Sequence, residues 1–213
     1  MDIKKHKNKY LGQDVYILAN GPSVYSHDLQ KLKGCNVIGM NASSILEHEF
    51  GFNSQYYCVS DLRFYNNEEK RKYCTELLSP QTVKVFRSEI AELVSPLDRD
   101  DTCYIKALSR DGFSTDISQG FYFGCTTTML ALQLAYYLGA KKIYLLGVDL
   151  RYSNDAPRFY VEKSVQHEDP YTSVQIKNIV EAARFLESKN VSVVNCSEFS
   201  FLRLYLPYEK FGI

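Results

Sequence analysis

The sequence predicts an α/β fold, a doubly wound and mostly parallel sheet in a single domain, and three observations predict it. Strand-length apolar runs recur along the chain, stretches of helical periodicity separate them, and 213 residues suffice for one sizeable core. Strands that alternate with helices need crossover connections, hence parallel pairing and a Rossmann-like open sheet.

Residues 1–13 read as a polar, basic N-terminal tail. The first strands are Val15 to Ala19, Asn36 to Met40, Gln55 to Ser60 and Thr82 to Phe86, each too short for a helix. Several carry β-branched or aromatic residues on both faces, as a strand covered on both sides does. Between them, Asp28 to Leu32, Ser43 to Glu49 and Glu68 to Leu78 have helical periodicity. From Arg87 to Gly120 the periodicity fails, and RDGFSTDISQG is rich in Gly, Ser and Asp, so irregular excursions broken by short elements are expected.

A helix then spans Thr126 to Leu138 and a strand Lys142 to Gly147, followed by a second irregular stretch, Arg151 to Pro170. The last helix, Thr172 to Ser188, sets Thr172 and Gln175 in capping-box spacing and carries an apolar stripe of Val174, Ile176, Ile179, Val180, Ala183 and Leu186. Val191 to Val194 supplies the final strand. Loops as long as the two irregular stretches belong to lids or binding loops, so both are candidates for the substrate side of a site. No internal repeat or interdomain hinge interrupts the pattern.

Composition narrows the function. The chain is 45% hydrophobic with 17 Tyr and 12 Phe, which is a folded protein and not a disordered one. Its 25 basic and 25 acidic residues cancel, so there is no broad positive field to hold nucleic acid and any anion must be gripped locally. No apolar run is long enough for a membrane span and none near the start suits a signal peptide, so the expected location is the cytoplasm. Cys35, Cys58, Cys74, Cys103, Cys125 and Cys196 have no C-x-x-C and no paired Cys/His spacing, and read as reduced core residues. The aromatic C-terminal stretch FSFLRLYLPYEKFGI reads as core or an oligomer contact ahead of a membrane-surface anchor.

Open parallel sheets bind ligands beyond the carboxyl ends of their strands. The residues after four of the predicted strands are Asn20, Asn41, Asp61 and Asp149, which would converge on one crevice; the plainer reading is that Asn and Asp are common in turns. In ANGPSV, Gly21 lets backbone approach a ligand, Pro22 stiffens the turn, and Ser23 offers a hydroxyl or caps the next helix. This is neither G-x-G-x-x-G nor a P-loop. GCTTTMLALQLAYYLG opens a helix with threonines, which serve as an anion cradle or only as caps. His167, beside Glu168 and Asp169 in the long loop, is a candidate general acid or base against the plain reading of a solvated surface histidine. The same loop carries Arg151, Tyr152, Arg158, Tyr160 and Tyr171, donors suited to phosphate or a carboxylated sugar.

The motifs NGPSV, GMNAS, YYCVSD and ALQLAYYLGAKKIYLLGVDLRY, with a loop histidine before the last helix, resemble bacterial domains related to 6-hydroxymethylpterin diphosphokinase. The same skeleton is similar to small bacterial sialyltransferases that use CMP-activated sugars. That second resemblance implies Asn20, Gly21, Pro22 and Ser23 against the nucleotide and Asn41 beside its base or ribose. It implies Thr126 and Thr127 near the donor, Gly147, Val148 and Asp149 under the nucleotide, and His167 as the base that deprotonates the acceptor hydroxyl. The chain also departs from it: the sialyltransferase arginine falls near Gly124, and one of two phosphate-binding tyrosines falls at Arg151, with Tyr152 adjacent and Tyr160 standing in for the other. Asp61 matches the diphosphokinase-like domains instead.

These resemblances imply a CMP-sugar-dependent glycosyltransferase of bacterial surface-glycan (lipopolysaccharide or capsule) assembly, taking a nucleotide-activated sugar donor and a glycan acceptor and needing no cofactor. The alternative is a diphosphokinase that moves pyrophosphate from ATP to a hydroxymethyl group through Mg²⁺ held by Asp61 and Asp149. A non-catalytic nucleotide-binding scaffold is the third expectation.

Overall fold

Among the residues described by the computed structural model (1–94, 101–152, 158–161 and 169–212), seven strands form one sheet. They are β1 (Asp14–Leu18), β2 (Val37–Met40), β3 (Tyr56–Val59), β4 (Val83–Arg87), β5 (Thr102–Ile105), β6 (Lys142–Leu146) and β7 (Ser192–Asn195). Their order is β5-β4-β3-β2-β1-β6-β7, with every neighbouring pair parallel. The chain steps outward from β1 to β5, then returns to lay β6 on the other side of β1. That reversal makes the sheet doubly wound.

Among the described residues, five α-helices cover the sheet: α1 (Ser44–Phe50), α2 (Leu62–Asn66), α3 (Glu68–Thr75), α4 (Thr127–Tyr137) and α5 (Thr172–Glu187). Val15 and Ile17 of β1, Ile38 and Met40 of β2, and Ile143 and Leu145 of β6 pack with α4 and α5. Leu18, Val37 and Leu146 point the other way, towards Val24, Leu29, Leu32 and the α1 residue Leu46. Tyr57, Val59 and Phe86 continue that second face under α2 and α3. Burial on both sides is why these strands read as near-continuous apolar runs. Burial at α4 extends all round, only Tyr136 of its eleven residues escaping the interior, so it is the central helix of its layer.

Three short elements refine the expected pattern. β5 is one of the short elements expected to break the irregular stretch Arg87 to Gly120, though TCYI is too short to show a period and what holds it is its register on β4, from Lys84 opposite Thr102 to Arg87 opposite Ile105. Helix α2 is a short extra turn, begun by Asp61, whose carboxylate accepts from the Arg63 N–H at 2.9 Å. The stretch Asp28 to Leu32 is a 3-10 turn over Leu29–Leu32.

Residues 1–13, expected as a polar tail, are tied to the fold. The N–H groups of Asn8, Tyr10 and Gly12 donate to the carbonyls of Tyr137 (3.0 Å), Leu138 (2.6 Å) and Gly139 (2.9 Å) at the end of α4. Helix ends leave such carbonyls unsatisfied, and this segment supplies the missing donors. Ile3 and Tyr10 are buried beneath it; lysines between them mask the two anchors in the sequence. All six cysteines are free, and Cys58, Cys74, Cys103 and Cys196 are buried.

Candidate functional site

Where the sheet reverses between β1 and β6, the connections leave on opposite faces and part above the strand ends. A cavity of about 410 Å³ lies there. Asn20, Asn41, Asp61 and Asp149, from the ends of four strands, all line it, as do Gly21, Thr126, Thr127, Gly147, Val148, Arg151, Tyr152 and Arg158.

The floor is built by backbone contact. The Gly21 N–H donates to the Gly147 carbonyl at 2.8 Å, and a Cβ on Gly21 would stand 2.6 Å from that carbonyl oxygen and would collide with the Asp149 carboxylate. Only glycine fits there. Asp149 is held by Ser23, whose N–H donates to Oδ2 at 3.0 Å and whose hydroxyl donates to Oδ1. Ser23 therefore acts from beneath the cavity, together with Pro22, and neither lines it. Asn20 braces two strand ends: its Nδ2 donates to the Met40 carbonyl at 3.2 Å and its Oδ1 accepts from the Ala42 N–H at 2.9 Å.

The opposite wall is the start of α4. Thr126 caps the helix, its hydroxyl accepting from the Thr128 N–H at 3.3 Å, so the capping reading holds for that residue. Thr127 instead pairs with the Ser60 hydroxyl at 2.9 Å. Three of the non-glycine residues with left-handed backbone, Asn41 (φ 55°), Cys125 (φ 58°) and Leu150 (φ 54°), line the cavity. For a residue like leucine that conformation costs about 1–2 kcal/mol, and such strain tends to gather at ligand sites.

The third wall corrects the capping-box expectation. Gln175 does not fold back on Thr172; its Nε2 donates to the Cys125 carbonyl and to Asp169 Oδ2, both at 3.0 Å, while its Oε1 accepts from the Tyr152 hydroxyl at 3.1 Å. Gln175 is 2% exposed and joins the segments after β6, before α4 and before α5. The turn ahead of the helix closes on Asp169, whose Oδ1 accepts from the Tyr171 N–H at 2.9 Å and whose carbonyl accepts from the Thr172 hydroxyl at 2.7 Å. Burial raises the pKa of the Tyr152 hydroxyl above its usual value, keeping it a hydrogen-bond donor.

Among the described residues, four arginines and three aspartates line the cavity: Arg63, Arg87, Arg151 and Arg158 with Asp61, Asp149 and Asp169. Arg63 pairs with Asp61 at 3.1 Å. Arg87 binds Glu89, holding that carboxyl at about 2, and its guanidinium lies 5.6 Å from the centre of the Phe123 ring. All six oxygens of the three aspartates accept hydrogen bonds from protein donors. Among the described residues, no three or more His, Cys, Asp and Glu side chains are grouped to hold a metal ion.

Sequence reasoning missed Arg63, Arg87, Cys125 and Gln175. Arg87 comes just after the fourth predicted strand and was open to the same rule that selects Asn20 and Asn41. Gln175 carried no signal beyond its misleading capping-box spacing. Tyr160 does not line the cavity; its ring packs against Phe159 and Tyr73, at 5.2 and 5.7 Å between centroids. His167 lies outside the described residues.

Residues 1–155 match the family described as 6-hydroxymethylpterin diphosphokinase MptE-like, well over half of the chain. The chain belongs to this family. The matched stretch of this MptE-like chain includes the Gly21 and Gly147 turns and the start of α4, and stops before Asp169 and Gln175. Among solved structures, the MAf glycosyltransferase from Magnetospirillum magneticum AMB-1 is similar, with a TM-score of 0.62 and 17% identity. The likeness covers all of this chain and 37% of that one, and at this identity it is a likeness of fold. No curated protein matches the MptE-like chain in sequence. Among the described residues, no helix is long and apolar enough to cross a membrane.

Proposed function

We propose that this MptE-like protein is a transferase that binds a nucleotide-activated sugar in the crevice between β1 and β6 and passes the sugar to a glycan hydroxyl. The observation that carries the reading is the cavity itself, at the reversal of a parallel sheet, with a glycine-only floor, a threonine-capped helix start and four arginines. A helix N-terminus and guanidinium groups favour phosphate, and the shared fold with a glycosyltransferase points to the sugar.

In this reading the base and ribose lie over Gly21, Asn41 and Gly147, and the phosphate faces Thr126, Thr127 and the arginines. Arg158 and Arg151 offset the charge that grows on the leaving phosphate. His167 takes the proton of the acceptor hydroxyl as the new glycosidic bond forms. A CMP-sugar is the donor we favour, and surface-glycan assembly the setting; the reaction needs no resident cofactor.

The family name favours a second reading, pyrophosphate transfer from ATP, with Asp61 and Asp149 near the phosphates. Thermal melts with CMP, CDP, UDP, GDP and ATP, each with and without Mg²⁺, separate the two. We expect a metal-independent rise confined to cytidine nucleotides, since a ligand at about a hundred times its Kd adds about 2.7 kcal/mol. A rise seen only with ATP and Mg²⁺ would transfer the assignment to the diphosphokinase, a rise without turnover of any donor would favour a nucleotide-binding scaffold, and no rise with any nucleotide would overturn the nucleotide site itself. His167→Ala should abolish sugar transfer and leave the nucleotide-induced rise unchanged.

A further inference from the structure

After β7 the chain folds back at Ser200, whose hydroxyl donates to the Val148 carbonyl at 2.6 Å, while the Phe201 N–H donates to the Asp149 carbonyl at 3.2 Å. These bonds fix the 3-10 turn Phe201–Leu204 to the segment that forms one wall of the crevice. Leu202 and Leu206 anchor it in the core. The apolar side chains between and before them face outward: Phe199 is 67% exposed, Phe201 38%, Leu204 79% and Tyr205 56%. Single exposed apolar residues are ordinary, whereas a cluster of large ones within so short a segment marks a contact surface.

The charge around the cluster is mainly positive. The Arg151 guanidinium lies 5.0 Å from the centre of the Phe201 ring and that of Arg203 4.4 Å from Tyr208. Glu198 is the acid within the segment, and Glu209 is taken up by Lys142 at 2.8 Å. Aromatic and leucine side chains beside the Arg203 guanidinium suit a bilayer interface, where the apolar tips enter the acyl boundary and the cation meets lipid phosphate. A second copy of the chain fits less well. Taking about 200 Å² for a large side chain, the cluster exposes on the order of 500 Å², short of the roughly 800 Å² per partner of a stable complex.

We propose that the surface formed by residues 199–205 docks on an anionic phospholipid bilayer and holds the mouth of the crevice at the membrane. The inference does not depend on which group is transferred. Its test is co-flotation of the 213-residue chain with vesicles of phosphatidylcholine alone and of phosphatidylcholine mixed with phosphatidylglycerol. Binding is expected to the mixed vesicles, to weaken with added salt, and to fall roughly tenfold in Leu204→Ser, which withdraws a buried leucine's worth of apolar contact. Arg203→Gln should lower it further at low salt. Both positions are exposed, so thermal melts of the variants should match the parent chain. No flotation with mixed vesicles at low salt, or equal flotation of parent and Leu204→Ser, would overturn the proposal. So would a dimer detected by light scattering that Leu204→Ser dissolves, which would give the surface to a second copy.

Discussion

His27 is buried, its ring edge-on to Phe211 at 6.3 Å between centroids. Burial lowers its pKa below 6.5, more than the Phe211 and Cys196 carbonyls and the Asp149 charge raise it, and Lys210 adds to the lowering. A base with a depressed folded-state pKa contributes stability that is complete above its unfolded value and is lost as pH falls through the folded one. Urea unfolding followed from about pH 8 to about pH 5 should therefore show stability falling below pH 6.5 or so, with a shallower fall in His27→Gln. Identical slopes for the two proteins would mean that His27 protonates equally well in both states.

At the scale of an element, the start of α5 is placed by Gln175 as much as by packing. Its amide satisfies the Cys125 carbonyl and Asp169 while accepting from Tyr152, all within the crevice wall. Leaving buried partners unsatisfied costs about 1–3 kcal/mol, so Gln175→Leu should lower unfolding free energy by about that amount. The same substitution should weaken the nucleotide-induced rise in melting temperature, because the Tyr152 and Cys125 segments lose their common tie. A full loss of stability with an unchanged nucleotide response would confine Gln175 to a structural part.

Across the whole molecule, protection should follow the sheet order. β2, β1 and β6 are interior strands covered on both faces, whereas β5 and β7 are its edges. Amides that open only with global unfolding exchange slowest, and edges exchange by local opening. Hydrogen exchange should thus leave Ile17, Ile38 and Leu145 protected longest and release the amides of β5 and β7 early. Faster exchange in β1 than in β5 would contradict this arrangement.

Alternating strands and helices were legible in the residues because burial on both faces produces apolar runs too short for helices, as at Val15 to Ala19 and Lys142 to Gly147. The rule that ligands sit beyond strand ends then located Asn20, Asn41, Asp61 and Asp149, which do meet at one cavity. What the chain could not announce was set by contacts between distant segments. β5 exists through its pairing with β4, and the N-terminal residues are ordered by the carbonyls at the end of α4. Gln175, read locally as a cap, spends its amide on Cys125, fifty positions away. Local periodicity records which face of an element is buried; it carries no record of partners brought together only when the sheet closes its register and the loops above it pack.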